Sequence, residues 1–297
     1  MAVLAAGGGG PERVALNPPG DPSWRDPVEM SAVPAGDFVM GSDDTEADAD
    51  ERPRARIRVE AFSIDRVEVT NARYGLCVEA GACSLPVGTA FGDATKAGHP
   101  VTIVSWAQAA AYCQWVGKRL PTEAEWEKAA RGVDGRRYPW GSRLEPDRVN
   151  AGYTAGTAAV GSYAAGVSPY GVLDMAGNVW EWTSSLYRPY PYAAGDGRED
   201  LKARGARVNR GGSWYYEAWY VRTTYRATAD HIYRRIADLG FRCARCQTVK
   251  PWPTYDRTGE AGTRRAGAAS KPSGRRRERG PGSPAGPRPC PTAIAWS

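Results

Sequence analysis

The amino-acid sequence predicts an α+β fold with low regular secondary structure, in which short helices combine with twisted antiparallel strands. The chain contains 35 Gly and 23 Pro among 297 residues, and these residue types favour turns over long regular elements. It also contains 11 Trp and 15 Tyr but only 4 Phe. Because Trp and Tyr combine a large apolar area with a polar tip, this composition suits a domain rich in irregular backbone.

Short strands are predicted in the first third of the chain. Residues 38–42 have the pattern of a strand that runs into a turn, and residues 57–64 alternate apolar and polar side chains. Such alternation predicts one half-buried strand over 57–64.

Three short helices follow, and each has a recognisable start. Thr70 is a predicted N-cap. The spacing of a capping box occurs twice, at Ser105 with Gln108 and at Thr122 with Glu125. In this motif the side chain of each residue accepts a hydrogen bond from the backbone amide of the other. An apolar stripe continues from each of these two starts.

Composition divides the chain into three parts: a disordered leader over residues 1–29, a folded domain over 30–247, and a disordered basic tail over 248–297. Residues 249–297 hold 10 Lys/Arg and 3 Asp/Glu, a net +7, so the rest of the +6 chain carries about −1. The folded part therefore lacks the basic footprint of a nucleic-acid-binding protein. No apolar run is long enough to cross a bilayer.

The most informative stretch of the chain is residues 171–182, which place oxygen donors at close intervals. Asp174 and Glu181 supply carboxylates, and Gly177 and Asn178 allow the backbone between them to turn its carbonyls inward. Calcium binds such mixtures of carboxylate, amide and carbonyl oxygens. A buried turn in which these side chains satisfy backbone amides explains the same pattern equally well.

The cysteines leave several interpretations open. Cys77 and Cys83 flank a Gly-containing turn and can close a short loop, whereas Cys113 and Cys243 are compatible with buried free thiols. Cys243 and Cys246 have the spacing of half a zinc site, but no second pair accompanies them, so zinc is not predicted.

Several short motifs occur along the chain in a fixed order. They are Met40-Gly41, Glu68-Val-Thr-Asn71, Lys118-Arg-Leu-Pro-Thr-Glu-Ala-Glu-Trp-Glu127, Tyr138-Pro-Trp-Gly141, Asp174-Met-Ala-Gly-Asn-Val-Trp-Glu-Trp182, Arg210-Gly-Gly-Ser-Trp214 and Gly240-Phe-Arg242. With these motifs the chain closely resembles the formylglycine-generating enzyme, or sulfatase-modifying factor, family from about residue 30 to residue 244. The resemblance implies a single domain of C-type-lectin-like character.

The resemblance implies a structural calcium ion in the stretch 171–182. Its ligands would be the side chains of Asp174 and Glu181 and the backbone carbonyls of Gly177 and Val179, all of which this sequence retains. Calcium is therefore the expected cofactor.

Two further features of the family are implied. A second calcium would use Asn150 and the carbonyl of Ala151, but residues 152–160 lack the acid that completes it, which weakens this site. The family also implies a disulfide between Cys113 and Cys243.

The sequence departs from active members of the family at the catalytic centre. Active members oxidise a substrate cysteine to formylglycine with dioxygen and a copper(I) ion, which two cysteine thiolates hold. These cysteines lie three and eight residues after the serine that corresponds to Ser213, where this chain has Tyr216 and Val221. Neither side chain can replace a thiolate as a ligand of copper(I). No catalytic residue is retained, and copper is not expected.

Aromatic and arginine side chains follow the same motif and predict a recognition groove, although core packing of the aromatic rings is the competing explanation. We expect a monomeric module that binds a peptide, protein or glycan, without nucleic acid or membrane partners. The candidate groove residues are Ser213, Trp214, Tyr216, Trp219, Tyr220 and Arg222.

An enzyme is the alternative to a binding module. It would be a formylglycine-generating oxidoreductase that works without the usual cysteines, or a related metal-dependent oxidase. An iron site of two His and a carboxylate could draw only on His99 and His231, the two histidines of the chain.

The sequence is compatible with two cellular locations. The paired cysteines favour an extracytoplasmic location, and the absence of a recognisable signal peptide keeps a cytoplasmic one in view.

Overall fold

The computed structural model describes residues 28–87, 91–229 and 236–247. The predicted tail, His231 and nearly all of the predicted leader lie outside these residues. The chain divides into two units, Met1–Arg245 and Cys246–Ser297, and the fold described below is that of the first unit.

The three helices form where the sequence predicts them. They are α1 (Asn71–Glu79), α2 (Trp106–Trp115) and α3 (Glu123–Arg131). The Thr70 hydroxyl accepts a hydrogen bond from the third amide of α1. Both predicted capping boxes are present at α2 and α3, which confirms the starts of these helices.

A four-stranded sheet in the order β7-β6-β5-β8 lies at the centre of the domain. Its strands are β5 (Trp180–Leu186), β6 (Arg207–Arg210), β7 (Ala227–Ala229) and β8 (Leu239–Gly240). β5 runs antiparallel to β6 and parallel to β8, and every residue of β5 is buried. Because residues 171–182 end in β5, the predicted metal loop leads directly into a fully buried strand of this sheet.

Two smaller sheets complete the fold and correct one prediction. β2 (Gly36–Met40) pairs with β3 (Ala55–Val59), whereas β4 (Phe62–Asp65) lies between β1 (Met30–Val33) and β9 (Ala244–Cys246). The single strand predicted over 57–64 is therefore wrong.

The reason is visible in the apolar pattern of that segment. Ile57 and Val59 share one parity, and the buried residues Phe62 and Ile64 have the other. Since side chains alternate between the two faces of a strand, a change of parity breaks the strand and sends its two halves to different sheets.

Two disulfides join these elements. Cys77 bonds to Cys83 across the end of α1, and Cys113 of α2 bonds to Cys243 just before β9. Both predicted pairings are confirmed, and the interpretation of Cys113 and Cys243 as free thiols is wrong. Within the described residues, none of the helices has the length and apolar character needed to cross a bilayer.

Candidate functional site

The loop that precedes β5 has the turned backbone predicted for residues 171–182. Asp174, Gly177 and Asn178 all have positive φ, at 56°, 76° and 61°. Gly177 is the tightest point of the loop, because a Cβ there would lie 2.4 Å from the carbonyl oxygen of Asn150. Only glycine fits this approach, and it brings the loop against residue 150.

Three carboxylates and one guanidinium lie beneath this loop. Arg242 donates to both oxygens of Glu181, with nitrogen–oxygen distances of 2.7 Å, and Asp174 accepts a hydrogen bond from the amide of Gly161. Glu68, which was not predicted as a site residue, accepts a hydrogen bond from the side-chain Nδ2 of Asn178. Burial, reinforced by the charges of Asp174 and Glu181, raises the pKa of Glu68 well above its usual value.

This cluster holds more carboxylates than cationic groups. Arg242 offsets only one of the three negative charges, and Glu68 Oε1 is buried without a hydrogen-bond partner. Burial also raises the pKa of Asp174, as expected for a carboxylate that lacks a compensating charge. Glu181 Oε1 accepts one hydrogen bond from Arg242, which leaves a second lone pair. The residues present therefore fit calcium, which prefers oxygen donors.

The residues proposed for a second calcium are engaged in hydrogen bonds. The Asn150 side chain donates to Gly156 and to Asn178 and accepts from Thr154. Its backbone carbonyl accepts from the amide of Asn178. Hydrogen bonds thus already join the segment of Asn150 and Ala151 to the first loop.

A pocket opens on the other side of β5. Four aromatic rings line it in a closed cycle: Trp180 contacts Tyr216, Tyr216 contacts Tyr220, Tyr220 contacts Tyr225, and Tyr225 returns to Trp180. Their centroids lie 5.0 to 5.8 Å apart. The three tyrosines are partly exposed, so they form the wall of the pocket rather than the interior of the core.

Besides the tyrosines, three polar side chains also line this aromatic pocket: Asn209, Thr228 and Asp238. Asn209 comes from β6, and Asp238 lies just before β8. The Ser213 hydroxyl donates to Asp238, whose backbone carbonyl accepts the amide of Trp180. Burial raises the pKa of the Asp238 carboxyl, and the hydrogen bond from Ser213 opposes the shift.

Only part of the predicted groove lies in this pocket. Tyr216 and Tyr220 line it, whereas Ser213 is fully buried and reaches it through Asp238. Trp214 and Trp219 are partly buried but are not lining residues.

Arg222 corrects the prediction most clearly. Its guanidinium is buried, stacks on Trp219 at 3.8 Å and pairs with Glu51 at 2.7 Å. It belongs to a buried ionic network beneath the surface and does not face the pocket.

The predicted groove contains only Tyr216 and Tyr220 of the lining residues, and it lacks among others Trp180, Asn209 and Asp238. Each of these three lies inside a motif that identified the family or within two residues of one. The available signal was therefore proximity to the motifs, but the pairing of β6 and β8 with β5 was needed to bring the three together.

Tyr216 and Val221, where the resemblance implies that copper-binding cysteines have been replaced, have different surroundings. Tyr216 lies in the wall of the pocket, whereas Val221 is fully buried against Tyr138, Val149 and Ala176. The described cysteines are all bonded in disulfides. Among residues 28–87, 91–229 and 236–247, no group of three or more His, Cys, Asp or Glu side chains is placed to bind a metal. The ligands expected for calcium differ from such a group, because two of the four are backbone carbonyls, those of Gly177 and Val179.

Comparisons with known proteins agree with this architecture. The model of the sulfatase-modifying factor enzyme 1-like domain matches residues 19–247. The formylglycine-generating enzyme of Thermomonospora curvata is 33% identical, with 72% of this chain and 92% of that protein covered. An inactive C-alpha-formylglycine-generating enzyme 2 of Bos taurus is also 33% identical, with 73% and 88% covered.

Two further similarities support the same family. The hercynine oxygenase of Mycolicibacterium smegmatis is 37% identical over 71% of this chain and 60% of that protein. Among solved structures, PvdO of Pseudomonas aeruginosa has a TM-score of 0.62 at 26% identity, with 74% of this chain and 95% of that chain covered. The motifs, the α+β fold and these matches agree, and the chain belongs to the sulfatase-modifying factor enzyme 1-like (formylglycine-generating enzyme) family.

Proposed function

We propose that this chain is a ligand-binding member of the family that lacks copper-dependent cysteine oxidase activity. The observation that carries the proposal is the replacement of the thiolate pair by Tyr216 and Val221, one in an aromatic pocket wall and the other packed in the core. Copper(I) prefers soft sulfur ligands, and neither residue offers one. The ligand of the pocket would be a peptide, a protein or a glycan.

An oxidase is the second candidate. The similarity to proteins named formylglycine-generating enzyme and hercynine oxygenase favours it, while the similarity to a protein named inactive favours binding. An oxidase here would need a metal site of different composition. His99 is the one histidine among the described residues, and its Nδ1 atom forms a hydrogen bond with the hydroxyl of Thr157 and not with a carboxylate.

We also propose that calcium stabilises the loop before β5. Asp174 and Glu181 would supply carboxylate oxygens, and Gly177 and Val179 would supply carbonyl oxygens. The support is the uncompensated charge of the cluster and the unpartnered Glu68 Oε1. Calcium in this place would neutralise buried charge and hold the turn that leads into β5.

Two disulfides support an extracytoplasmic location, because such bonds persist in oxidising compartments. The domain is proposed to act as a monomer.

Copper(I) titration against a colorimetric chelator tests the functional proposal. The wild-type chain should leave copper(I) with the chelator, whereas the Y216C/V221C variant, which restores thiols at both positions, should compete for it. The Y216S/V221S variant is the matched control without sulfur. Competition by the wild-type chain at the level of Y216C/V221C would contradict the proposal.

A further inference from the structure

Strand β3 lies at the edge of its sheet. Within the described residues β3 pairs with β2 alone, so its second edge has no neighbouring strand. An unpaired strand edge presents a row of free backbone N–H and C=O groups, which can pair with another strand. The β2-β3 sheet is separate from the four-stranded sheet that carries the aromatic pocket.

Hydrogen bonds on the far side of β2 indicate which residues of β3 face the open edge. The carbonyls of Val39 and Gly41 accept from Arg131 of α3 and so point away from β3. Val39 lies directly opposite Arg56. In an antiparallel pair, opposite residues either bond to each other or both face outward. The backbone N–H and C=O groups of Arg56, and by alternation those of Arg58, therefore face the open edge. In the described part of the chain no other group bonds to them.

Three arginines lie along one face of this edge. Arg54, Arg56 and Arg58 are two residues apart, so they share a face, and all three are exposed. Arg54 pairs with Asp43, and Arg58 pairs with Glu60. Because the side chains of both pairs are 44 to 63% exposed, these contacts hold the guanidinium groups only weakly. Arg56 forms no ion pair with any described residue.

From these features we infer that the open edge of β3 binds an extended peptide segment with acidic side chains at alternate positions. The segment would add a strand to the β2-β3 sheet, with backbone hydrogen bonds to Arg56 and Arg58. Its carboxylates would lie beside the three guanidinium groups, because opposite charges that face each other stabilise a strand pair. The inference concerns a second binding surface and does not depend on the aromatic pocket.

The same charges disfavour other occupants of the edge. A second copy of β3, paired antiparallel about Arg56, would place Arg56 opposite itself and Arg54 opposite Arg58, and like charges in these positions are destabilising. A basic strand would meet the same repulsion. On β2, Arg58 lies opposite Asp37, whereas Arg56 lies opposite the apolar Val39. Arg56 is therefore the residue that should contribute most to the selection of an acidic strand.

Capped seven-residue peptides test the inference on the full-length chain. The acidic probe is acetyl-Thr-Glu-Val-Glu-Val-Glu-Thr-amide, and the basic probe has lysine in place of each glutamate. Fluorescence anisotropy of dye-labelled peptides measures both affinities. The acidic probe should bind about tenfold or more tightly, because the basic probe turns favourable charge contacts into repulsive ones. Bound acidic probe should also slow hydrogen exchange in the segment 54–59, measured by mass spectrometry.

Backbone N-methylation of the acidic probe separates strand addition from simple attraction between charges. If the probe pairs antiparallel to β3, the glutamate amides face β3, and if it pairs parallel, the valine and threonine amides do. Methylation of one set should therefore abolish binding, and methylation of the other set should preserve it. Binding that survives both methylations would overturn the inference.

Matched variants locate the binding surface. Arg56→Glu should lower the affinity for the acidic probe by about fivefold or more, and Arg56→Gln, which removes the charge without reversing it, should lower it less. Arg204→Glu changes an exposed arginine outside the β2-β3 sheet and should leave the affinity unchanged. Unchanged thermal unfolding of the Arg56 variants would show that the lost binding is not a loss of folding. Equal losses in Arg56→Glu and Arg204→Glu would contradict the assignment to β3.

The remaining outcomes also decide the inference. Equal affinity for the acidic and basic probes, or no binding of either, would overturn it, and the arginines would then serve to prevent edge pairing between copies of the chain. None of these results bears on the copper(I) titration, which tests the proposed function at Tyr216 and Val221.

Discussion

At the scale of single residues, the backbone of the loop before β5 depends on glycine at one position. Asp174 and Asn178 also have positive φ, which Asn and Asp tolerate better than most residues. Gly177 has in addition no room for a side chain, because a Cβ would lie 2.4 Å from Asn150 O and 2.7 Å from Val149 Cγ2.

Gly177→Ala should therefore lower the free energy of unfolding by about 2–5 kcal/mol, which combines a left-handed alanine with an overpacked contact. Gly152→Ala is the control, since Gly152 has φ of 87° but nothing within 4 Å of its Cβ position. That variant should lose only about 1–2 kcal/mol. Equal losses in urea unfolding would show that the contact with residue 150 does not matter.

The acidic cluster gives a second prediction at this scale. Calcium at about 100 times its Kd should stabilise the protein by about 2.7 kcal/mol, measured as a higher unfolding midpoint than in EDTA. D174A should abolish this response, whereas D147N, at an exposed acid outside the cluster, should keep it. A calcium response that survives D174A would place the ion elsewhere.

At the scale of elements, local signals located the helices better than the strands. A capping box depends on residues three apart, so Ser105 with Gln108 and Thr122 with Glu125 could be identified from the sequence. Strand pairing depends on distant residues. The apolar residues change from odd to even numbers between Val59 and Phe62, and this change marks the break between the two strands.

The candidate site divides in the same way: features set by neighbouring residues could be predicted, and features set by contacts between distant residues could not. The loop of Asp174 lies within one motif, and the disulfide of Cys113 followed from the resemblance. The direction of Arg222 could not be predicted, because its partner Glu51 is 171 residues away. The acceptors Asn209 and Asp238 meet only because β6 and β8 flank β5.

Helix α3 is anchored to β6 by buried charge, which gives a prediction for elements. Glu127 is fully buried and accepts from Arg131, Arg210 and the amide of Gly41. Glu127→Gln should destabilise the domain by about 3–5 kcal/mol, because it leaves buried guanidinium groups without their countercharge.

Its control is Glu145→Gln, in the partly exposed pair with Arg148, which should cost about 0–1 kcal/mol. If Glu127→Gln lowered the free energy of unfolding as little as Glu145→Gln does, the buried network would contribute little to stability.

At the scale of the whole molecule, the disulfides Cys113–Cys243 and Cys77–Cys83 close loops of very different length. Cys113 and Cys243 are 130 residues apart, whereas Cys77 and Cys83 are 6 apart. The C113A/C243A variant should lose about 4 kcal/mol and the C77A/C83A variant less, because a longer loop gains more freedom when it is opened. Chemical denaturation of both variants checks this order, and the reverse order would contradict the loop-entropy explanation.

The fold as a whole keeps the family's scaffold, and the changed chemistry of its pocket is our proposal. The same β5 strand carries the acidic loop at its beginning and contributes Trp180 to the aromatic pocket. A family scaffold supports more than one activity, so function has to be argued from the pocket.

The most direct test of the central claim is an oxidation assay on the full-length chain with copper(I), calcium and dioxygen. The substrate is a peptide that contains Cys-x-Pro-x-Arg, and mass spectrometry follows conversion of its cysteine to the aldehyde. We predict no product above the level of the protein-free control, because Tyr216 and Val221 replace the thiolate ligands. Aldehyde formed in proportion to the amount of protein would contradict the claim and show that another set of residues carries the oxidation.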